Sequence, residues 1–325
     1  MATINDVAKL AGVTPTTVSR CINNRGYISE KTRQRIYECM DELGYRPNEL
    51  ARSLSKQRTN TIAIIVPHIA HPYFAKLISC LENQANRYGY KVMLCSSRED
   101  DDKKQEYLHL CQSNRVSGIV ICSESVTGET MSKLGIPAVQ IEKSSAPSIP
   151  RVLCDNRMGG TLATDTLIQA GCKNLLHIGG VIDEDMPADD RAAAFIKVCE
   201  ENGIRHTEVR YPSSIYNTMD YVDFIRKLLA ENPDIDGIFA SSDLIACQVS
   251  NVCHQLGIRI PQDLKLVGFD DVLISQLATP SITTIHQPLE EMAEKAISII
   301  HAACSDQSFD LETVFPVTLI QRDSV

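Results

Sequence analysis

At 325 residues, 43% of them hydrophobic, the chain is long enough to bury a sizeable core, and no apolar run approaches the roughly 18 residues of a membrane span. A formal net charge of −9 would argue against a nucleic-acid partner if it were spread evenly. It is not: residues 1–58 hold 10 Lys/Arg against 6 Asp/Glu, whereas residues 59–325 hold 22 against 35. A basic footprint confined to one small module is what phosphate binding needs, and the acidic remainder then repels DNA and leaves only that module engaged. Met1 leads straight into the first motif, so no export signal and a cytoplasmic location are expected.

Two short amphipathic helices open the chain, joined at Gly12-Val13-Thr14. Ile4, Val7, Ala8 and Ala11 fall on one helical face, and Val18 and Ile22 lie on the face of the next, so each helix can bury a stripe against the other. Gly12 suits the sharp turn because it takes positive φ without steric cost. Thr14 can cap the second helix with Pro15 at its first position. This is a helix-turn-helix pattern whose outward residues Pro15, Thr16, Thr17, Ser19 and Arg20 are left to face a groove. Arg20 has the fork needed to read guanine O6 and N7. A third helix, Ser29 to Leu43, turns Ile36, Cys39, Met40 and Leu43 inward and ends at Gly44.

From Thr61 the pattern changes to short β-branched runs separated by helical segments. Strands are expected at Thr61–Val66, Lys91–Cys95, Ser117–Cys122, Ala138–Ile141 and Arg151–Cys154, then at Asn174–Ile178, Glu208–Tyr211, Gly237–Ala240, Lys265–Phe269 and Phe315–Ile320. Helices are expected near 73–88, 103–113, 158–170, 191–202, 218–231, 243–256 and 289–304. Alternating βα units with apolar strands mean parallel sheets covered on both faces, and their number implies two doubly wound subdomains. Gly159-Gly160 carries no phosphate fingerprint and reads as close helix packing. Most of the 12 cysteines fall in apolar patterns with no CxxC pair, which suits buried reduced thiols; His68-x-x-His71 has no Cys/His cluster to complete a metal site, so neither metal nor cofactor is expected.

Ligands of open α/β sheets sit beyond the carboxyl ends of the strands, and several polar residues fall there. Asp270-Asp271 ends one strand, Ser241-Ser242-Asp243 another, and Asp155-Asn156 a third. Arg191 starts a helix after the loop Asp183 to Asp190, and Tyr73-Phe74 follows the first core strand. A carboxylate, a guanidinium and aromatic rings around one cleft suit a polyhydroxylated ligand. Ser242 and Asp243 are equally suited to capping the helix near Leu244, Arg191 to an exposed helix face, and Phe74 to the core in step with Leu77 and Ile78.

The segment Gly44-Tyr45-Arg46-Pro47-Asn48-Glu49-Leu50-Ala51-Arg52-Ser53-Leu54 closely resembles the hinge of the lactose-repressor (LacI/GalR) family, and Thr3 to Asn23 is similar to that family's DNA-reading motif. The likeness continues through Tyr88-Gly89-Tyr90, Ile260-Pro261-Gln262-Asp263, Gly268-Phe269-Asp270-Asp271 and Thr284-Ile285-His286-Gln287-Pro288 to the ending Leu319 to Val325. It implies a helix-turn-helix head over residues 1–46, a hinge helix and linker over 47–59, and a periplasmic-binding-protein-like core over 60–325. The core would divide into subdomain 1, about 60–156 with 289–318, and subdomain 2, about 157–288 with 319–325. It adds Thr3, Thr14, Asn23 and Tyr45 to the DNA-binding set, and places Asn48, Ala51 and the minor-groove wedge Leu54 on the hinge helix. Tyr73, Phe74, Asp155, Arg191, Ser242 and Asp270 match its effector-cleft positions.

The protein so implied is a homodimeric repressor on a near-palindromic operator, because one helix-turn-helix covers only a half-site. Its effector is expected to be a sugar, with a purine or other metabolite acting as corepressor the alternative. Position 242 is Ser where many sugar-responsive members carry Asn, and Ala194 replaces the Gly usual three residues after the arginine. A sugar-binding protein without a regulatory role would share the core but need an export signal and no head. An enzyme would need a phosphate loop or a catalytic set, and neither GxGxxG nor GxSxG occurs in the chain.

Overall fold

The computed structural model of the protein describes residues 2–22, 25–46, 58–97, 101–122, 128–142, 148–182 and 188–325. They fall into two compact units, Met1–Thr59 and Asn60–Val325. The first is built on α1 (Ile4–Ala11), α2 (Pro15–Ile22) and α3 (Glu30–Glu42). Thr3 and Asp6 form a reciprocal capping box: the Asp6 N–H donates to the Thr3 hydroxyl at 3.4 Å, and the Thr3 N–H donates to the Asp6 carboxylate at 2.8 Å. Gly12 ends α1 at a φ of 70°, and the Thr14 hydroxyl accepts from the Thr17 N–H at 3.2 Å to start α2. Val7, Ala8, Val18, Cys21, Ile36, Cys39 and Met40 close a core from three directions.

The second unit is an α/β body with two six-stranded sheets among its described residues. The first contains β1 (Thr61–Val66), β2 (Lys91–Ser96), β3 (Gly118–Ile121), β4 (Ala138–Ile141), β5 (Arg151–Cys154) and β11 (Glu312–Phe315), in the order β11-β5-β4-β3-β1-β2, all parallel. The second contains β6 (Asn174–Val181), β7 (Arg205–Tyr211), β8 (Gly237–Ala240), β9 (Lys265–Asp270), β10 (Thr283–His286) and β12 (Thr318–Ile320), in the order β12-β10-β9-β8-β6-β7. Both sheets are covered on two faces, which the burial of single strands makes plain. In β1, Ile62, Ile64 and Val66 join a core with Leu77 and Leu81 of α4 (Pro72–Arg87), whereas Ala63 and Ile65 face the other way, toward Leu108 and Cys111 of α5 (Asp101–Ser113). In β8, Phe239 faces one core and Ile238 and Ala240 the other.

Three crossings join the sheets: β5 leads into α7 (Asn156–Gln169), β10 into α13 (Leu289–Cys304), and β11 into β12. The expected single strand Phe315–Ile320 is therefore two. Pro316 has no N–H to continue a ladder, so the chain leaves the first sheet there; β12 then pairs antiparallel with β10 in the second, an exception to the all-parallel expectation. The region near 218–231 is likewise two helices, α9 (Ser213–Thr218) and α10 (Val222–Glu231), separated at Met219, whose φ is 56°. Strand β10 and the short helices α6 (Gly128–Leu134) and α12 (Leu273–Leu277) were not expected. The remaining helices are α8 (Asp189–Glu201) and α11 (Asp243–Leu256).

Helices α7 and α8 lie against each other at Gly160. A Cβ there would stand 2.5 Å from the Arg191 carbonyl oxygen and 3.0 Å from the Ala194 methyl. The close packing expected of Gly159-Gly160 is thus a backbone-to-backbone approach at Gly160 and a seat for the Phe269 ring at Gly159, and Ala194 fits because residue 160 has no side chain. Gly160→Ala is expected to lower core stability by about 1–3 kcal/mol through overpacking, since backbone atoms cannot give way as a side-chain tip can. Chemical denaturation of the two proteins measures this; equal midpoints would show that the helices separate freely.

Candidate ligand cleft and nucleic-acid interface

On the first unit, Thr3, Thr14, Pro15, Thr16 and Arg20 are exposed, while Thr17, Ser19 and Tyr45 are half-buried. Tyr45 packs against the helical core, so part of its ring serves the fold. The Arg20 Nε lies 3.4 Å from the Arg25 carbonyl oxygen and donates to it, and Nη2 lies over Gly26, where a Cβ would stand 2.2 Å away. Asn23, Asn48, Ala51 and Leu54 lie outside the described residues.

In the second unit the carboxyl ends of the strands surround one cavity. Tyr73, Phe74, Arg191, Ser242 and Asp270, expected apart in sequence, all line it. Asp155 does not appear in the lining: its carboxylate accepts from the Met158 N–H at 2.8 Å and caps α7. The neighbouring Asn156 takes the inward place instead, with its Oδ1 accepting from Arg191 Nε at 2.7 Å. Arg191 is buried, donates through Nη1 to the Ser241 carbonyl oxygen at 2.7 Å, and sits 3.4 Å above the centre of the Phe269 ring. Its charge is thereby held by an amide, a carbonyl and a π face, and it is not on an exposed helix surface. Phe74 and Ser242 each have two roles. Phe74 lies in the core cluster and lines the cavity, and the Ser242 hydroxyl accepts from the Ile245 N–H at 3.3 Å as the cap of α11.

Asp270 ends β9 at a φ of 115°, followed by Asp271 at 54°; two non-glycine residues in sparsely populated backbone regions cost of order 1–3 kcal/mol each. Such strain concentrates at ligand sites. Burial drives the Asp270 carboxyl well above the ordinary carboxylate range, the neighbouring Asp243 pushes the same way, and Arg191 and the Gln287 amide oppose it. Asp243 is buried beneath the strand ends, where it accepts from Thr284 Oγ1 at 2.6 Å and from the Val272 N–H at 2.8 Å. Burial nevertheless raises it to about 7. His71 caps α4, accepting from the Tyr73 N–H at 3.3 Å; burial lowers it to about 4, so it is neutral near pH 7.

Among the polar residues of the lining, Glu142, Tyr211, Tyr216, Tyr221 and Gln287 escaped the sequence reading. Glu142 follows β4 at a φ of 52° and accepts from Asn156 Nδ2 at 2.8 Å, which completes a Glu142–Asn156–Arg191 chain that links two lining residues through a buried amide. A charge at the end of an apolar strand is the signal that marked Asp270, and it applies equally to Ile141-Glu142. Two buried polar atoms on the wall have no hydrogen-bond partner, the Tyr73 hydroxyl and Gln287 Oε1. Among the described residues no group of three or more His, Cys, Asp or Glu could hold a metal, and no helix is long and apolar enough to cross a membrane.

Residues 3–48 match the family described as bacterial regulatory proteins, lacI family, and residues 164–325 match the periplasmic binding protein-like domain. Over 325 residues, 100% of both chains, the protein is 35% identical to the sucrose operon repressor of Streptococcus mutans serotype c. A periplasmic binding protein/LacI transcriptional regulator from Alkaliphilus metalliredigens QYMF, solved with D-xylulofuranose, superposes with a TM-score of 0.73 at 30% identity, covering 82% of this chain and 99% of its own. The lac repressor dimer bound to operator and the anti-inducer ONPF shares the fold, with a TM-score of 0.85 at 22% identity over 99% of this chain and 98% of that one.

Proposed function

We propose a function from one premise: the chain belongs to the LacI family of bacterial regulatory proteins. It is a sequence-specific DNA-binding transcriptional repressor, and a small molecule held in the core cleft sets its affinity for the operator. The observation that carries this reading is the convergence of Arg191, Asp270 and the Tyr73 and Phe74 rings on one cavity of a protein that also carries a capped helix-turn-helix. The effector we assign is a sugar, as the names of the relatives suggest for those proteins. Hydroxyls can donate to carboxylates and accept from the guanidinium, while the rings cover the apolar sugar face.

Pro15, Thr16, Thr17, Ser19 and Arg20 of α2 read the major groove, with Thr3, Thr14, Asn23 and Tyr45 around them, and Asn48, Ala51 and Leu54 belong to a hinge over residues 47–59. Two copies bind a near-palindromic operator, in the cytoplasm, and the cleft binds its ligand without transforming it. Asp155 enters only as the cap that aims Asn156 at Arg191.

A duplex selected from random DNA by the full-length protein tests both halves. Sucrose or D-xylulose should shift its affinity, and Arg20→Ala should cost roughly 1–3 kcal/mol of discrimination at one base pair while non-specific binding changes far less. Equal losses on selected and random DNA would remove Arg20 from base reading. An affinity insensitive to sugars but raised by a purine would turn the effector into a corepressor.

A further inference from the structure

We propose that Gly26 positions Arg20 for base reading: having no side chain, it seats the Arg20 guanidinium and holds one edge of it ready for a guanine. This deepens the reading of Arg20 given above and rests on it. Residues 20 and 25 are tied twice at the end of α2, in opposite senses. The Arg25 N–H donates to the Arg20 carbonyl oxygen at 2.9 Å, and Arg20 Nε donates to the Arg25 carbonyl oxygen at 3.4 Å. Gly26 follows at a φ of 70°, in the left-handed region that glycine enters without steric cost. A Cβ there would overlap Nη2 and stand 3.1 Å from Cζ and 3.3 Å from Nε. Three atoms of the guanidinium thus take the space that a side chain at position 26 would need.

Gly12, also at a φ of 70°, supplies the contrast. Among the described residues a Cβ at position 12 would meet no heavy atom within 4 Å beyond its chain neighbours, so that glycine answers to its turn alone, whereas Gly26 answers to its turn and to Arg20. What a Cβ at position 26 would displace is the far end of a flexible side chain, not the backbone of the head. The consequence lies in which donors remain for DNA. A guanidinium carries its N–H groups in a rigid fork and can meet two acceptors along its Nε–Nη2 or its Nη1–Nη2 edge. With Nε given to a backbone carbonyl, the Nη1–Nη2 edge is left to span O6 and N7 of a guanine. The seat also limits the rotamers of a long side chain before DNA arrives, so less freedom is lost on binding. Both effects belong to the base pair that Arg20 reads, not to phosphate contacts, and they add discrimination rather than general affinity.

The test is a double-mutant cycle on the full-length protein, read as equilibrium affinity for the selected duplex and for its single base-pair variants. Arg20→Ala first marks the base pair that Arg20 reads. Gly26→Ala should then lose about 3- to 10-fold of discrimination at that pair and none at the others, part of what a bidentate contact supplies. In the Arg20→Ala background the same substitution should change discrimination no further. A merely structural role, in which a Cβ at positive φ loosens the head, would lower affinity for every duplex alike, with or without Arg20. That result would overturn the proposal, as would discrimination left unchanged, or sharpened because the seat had kept the guanidinium out of the groove. If Gly26→Ala does not fold, Gly26→Asn, which tolerates left-handed φ but still carries a Cβ, is read in the same cycle by the same criteria. Equal losses of Arg20→Ala on selected and random DNA would end base reading by Arg20 and this inference with it. A selective loss at Arg20 with none at Gly26 would remove the inference alone.

Discussion

Arg191→Ala is expected to weaken effector binding by about 100-fold or more and to cost the core about 3–5 kcal/mol of stability, the range found when one partner of a buried charged network is removed. Arg191 is 6% exposed, and the loss of its guanidinium strands several groups together. Asn156 Oδ1 and the Ser241 carbonyl lose charge-assisted donors at 2.7 Å, worth roughly 1.5–3 kcal/mol each. The face of Phe269 loses a cation 3.4 Å from its centre, and the Asp270–Asp243 pair loses the positive charge that offsets it. Arg191→Lys should recover part of the stability but little of the binding, because an ammonium cannot meet an amide, a carbonyl and a ring in one plane. Thermal melts and effector titrations of both variants check this. A folded Arg191→Ala protein with undiminished effector affinity would place the guanidinium outside the site.

The parts of this molecule that could be read from sequence are those whose causes are local. Strand β1, Thr-Ile-Ala-Ile-Ile-Val, is apolar throughout because both faces are covered, and the head carries its own caps at Thr3, Thr14 and Ser29. Strand β10 was hidden because its first two residues look polar. Thr283 and Thr284 are fully buried, and their partners arrive from far along the chain: Thr284 Oγ1 donates to Asp243, while Ser324 and Arg322 from the last residues satisfy Thr283. No window of neighbours contains that information.

The same distinction holds within the cleft. That Arg191 and Asp270 would meet was legible from their places at strand and helix ends, but how they are held was not. Asn156 lies 35 residues before Arg191, and nothing in Asp155-Asn156 says which of the two caps the helix and which turns inward. The backbone decides it. The residue before the first helical turn is placed to accept from the third N–H beyond it, and the next side chain is then directed toward α8. Gln287 stands in the sequence only as part of a family motif, and nothing near it in the chain says that it lines the cavity beside Asp270.

Core stability is expected to be nearly flat between about pH 4.5 and 6.5 and to fall as the pH rises through about 7, a profile set by buried groups of opposite sign. Burial raises Asp243 from 3.8 to about 7 and drives Asp270 above its ordinary range in the same direction. A carboxyl whose folded-state pKa is raised binds its proton more tightly in the native state. Its contribution is complete below the ordinary carboxylate range and is lost as the pH climbs through the folded value. For Asp243 alone that amounts to about 4 kcal/mol across the window, at about 1.4 kcal/mol per unit. Two imidazoles act oppositely. Burial lowers His71 to about 4 and His177 to about 3, so unfolded chains take up protons below about 6.5 that the native state refuses, and stability rises with pH over that interval. The two slopes cancel while both pairs are active; above about 6.5 the histidines have finished and the carboxyls act alone. Asp243→Asn keeps the shape and one acceptor for Thr284 or Val272, and should change the profile in a defined way: stability rising from pH 4.5 toward 6.5, with the fall above about 7 left to Asp270. Denaturant titrations of both proteins from pH 4.5 to 8 separate the cases. Parallel profiles for the two would mean that Asp243 stays ionised in its buried place, held so by the hydrogen bonds from Thr284 and Val272.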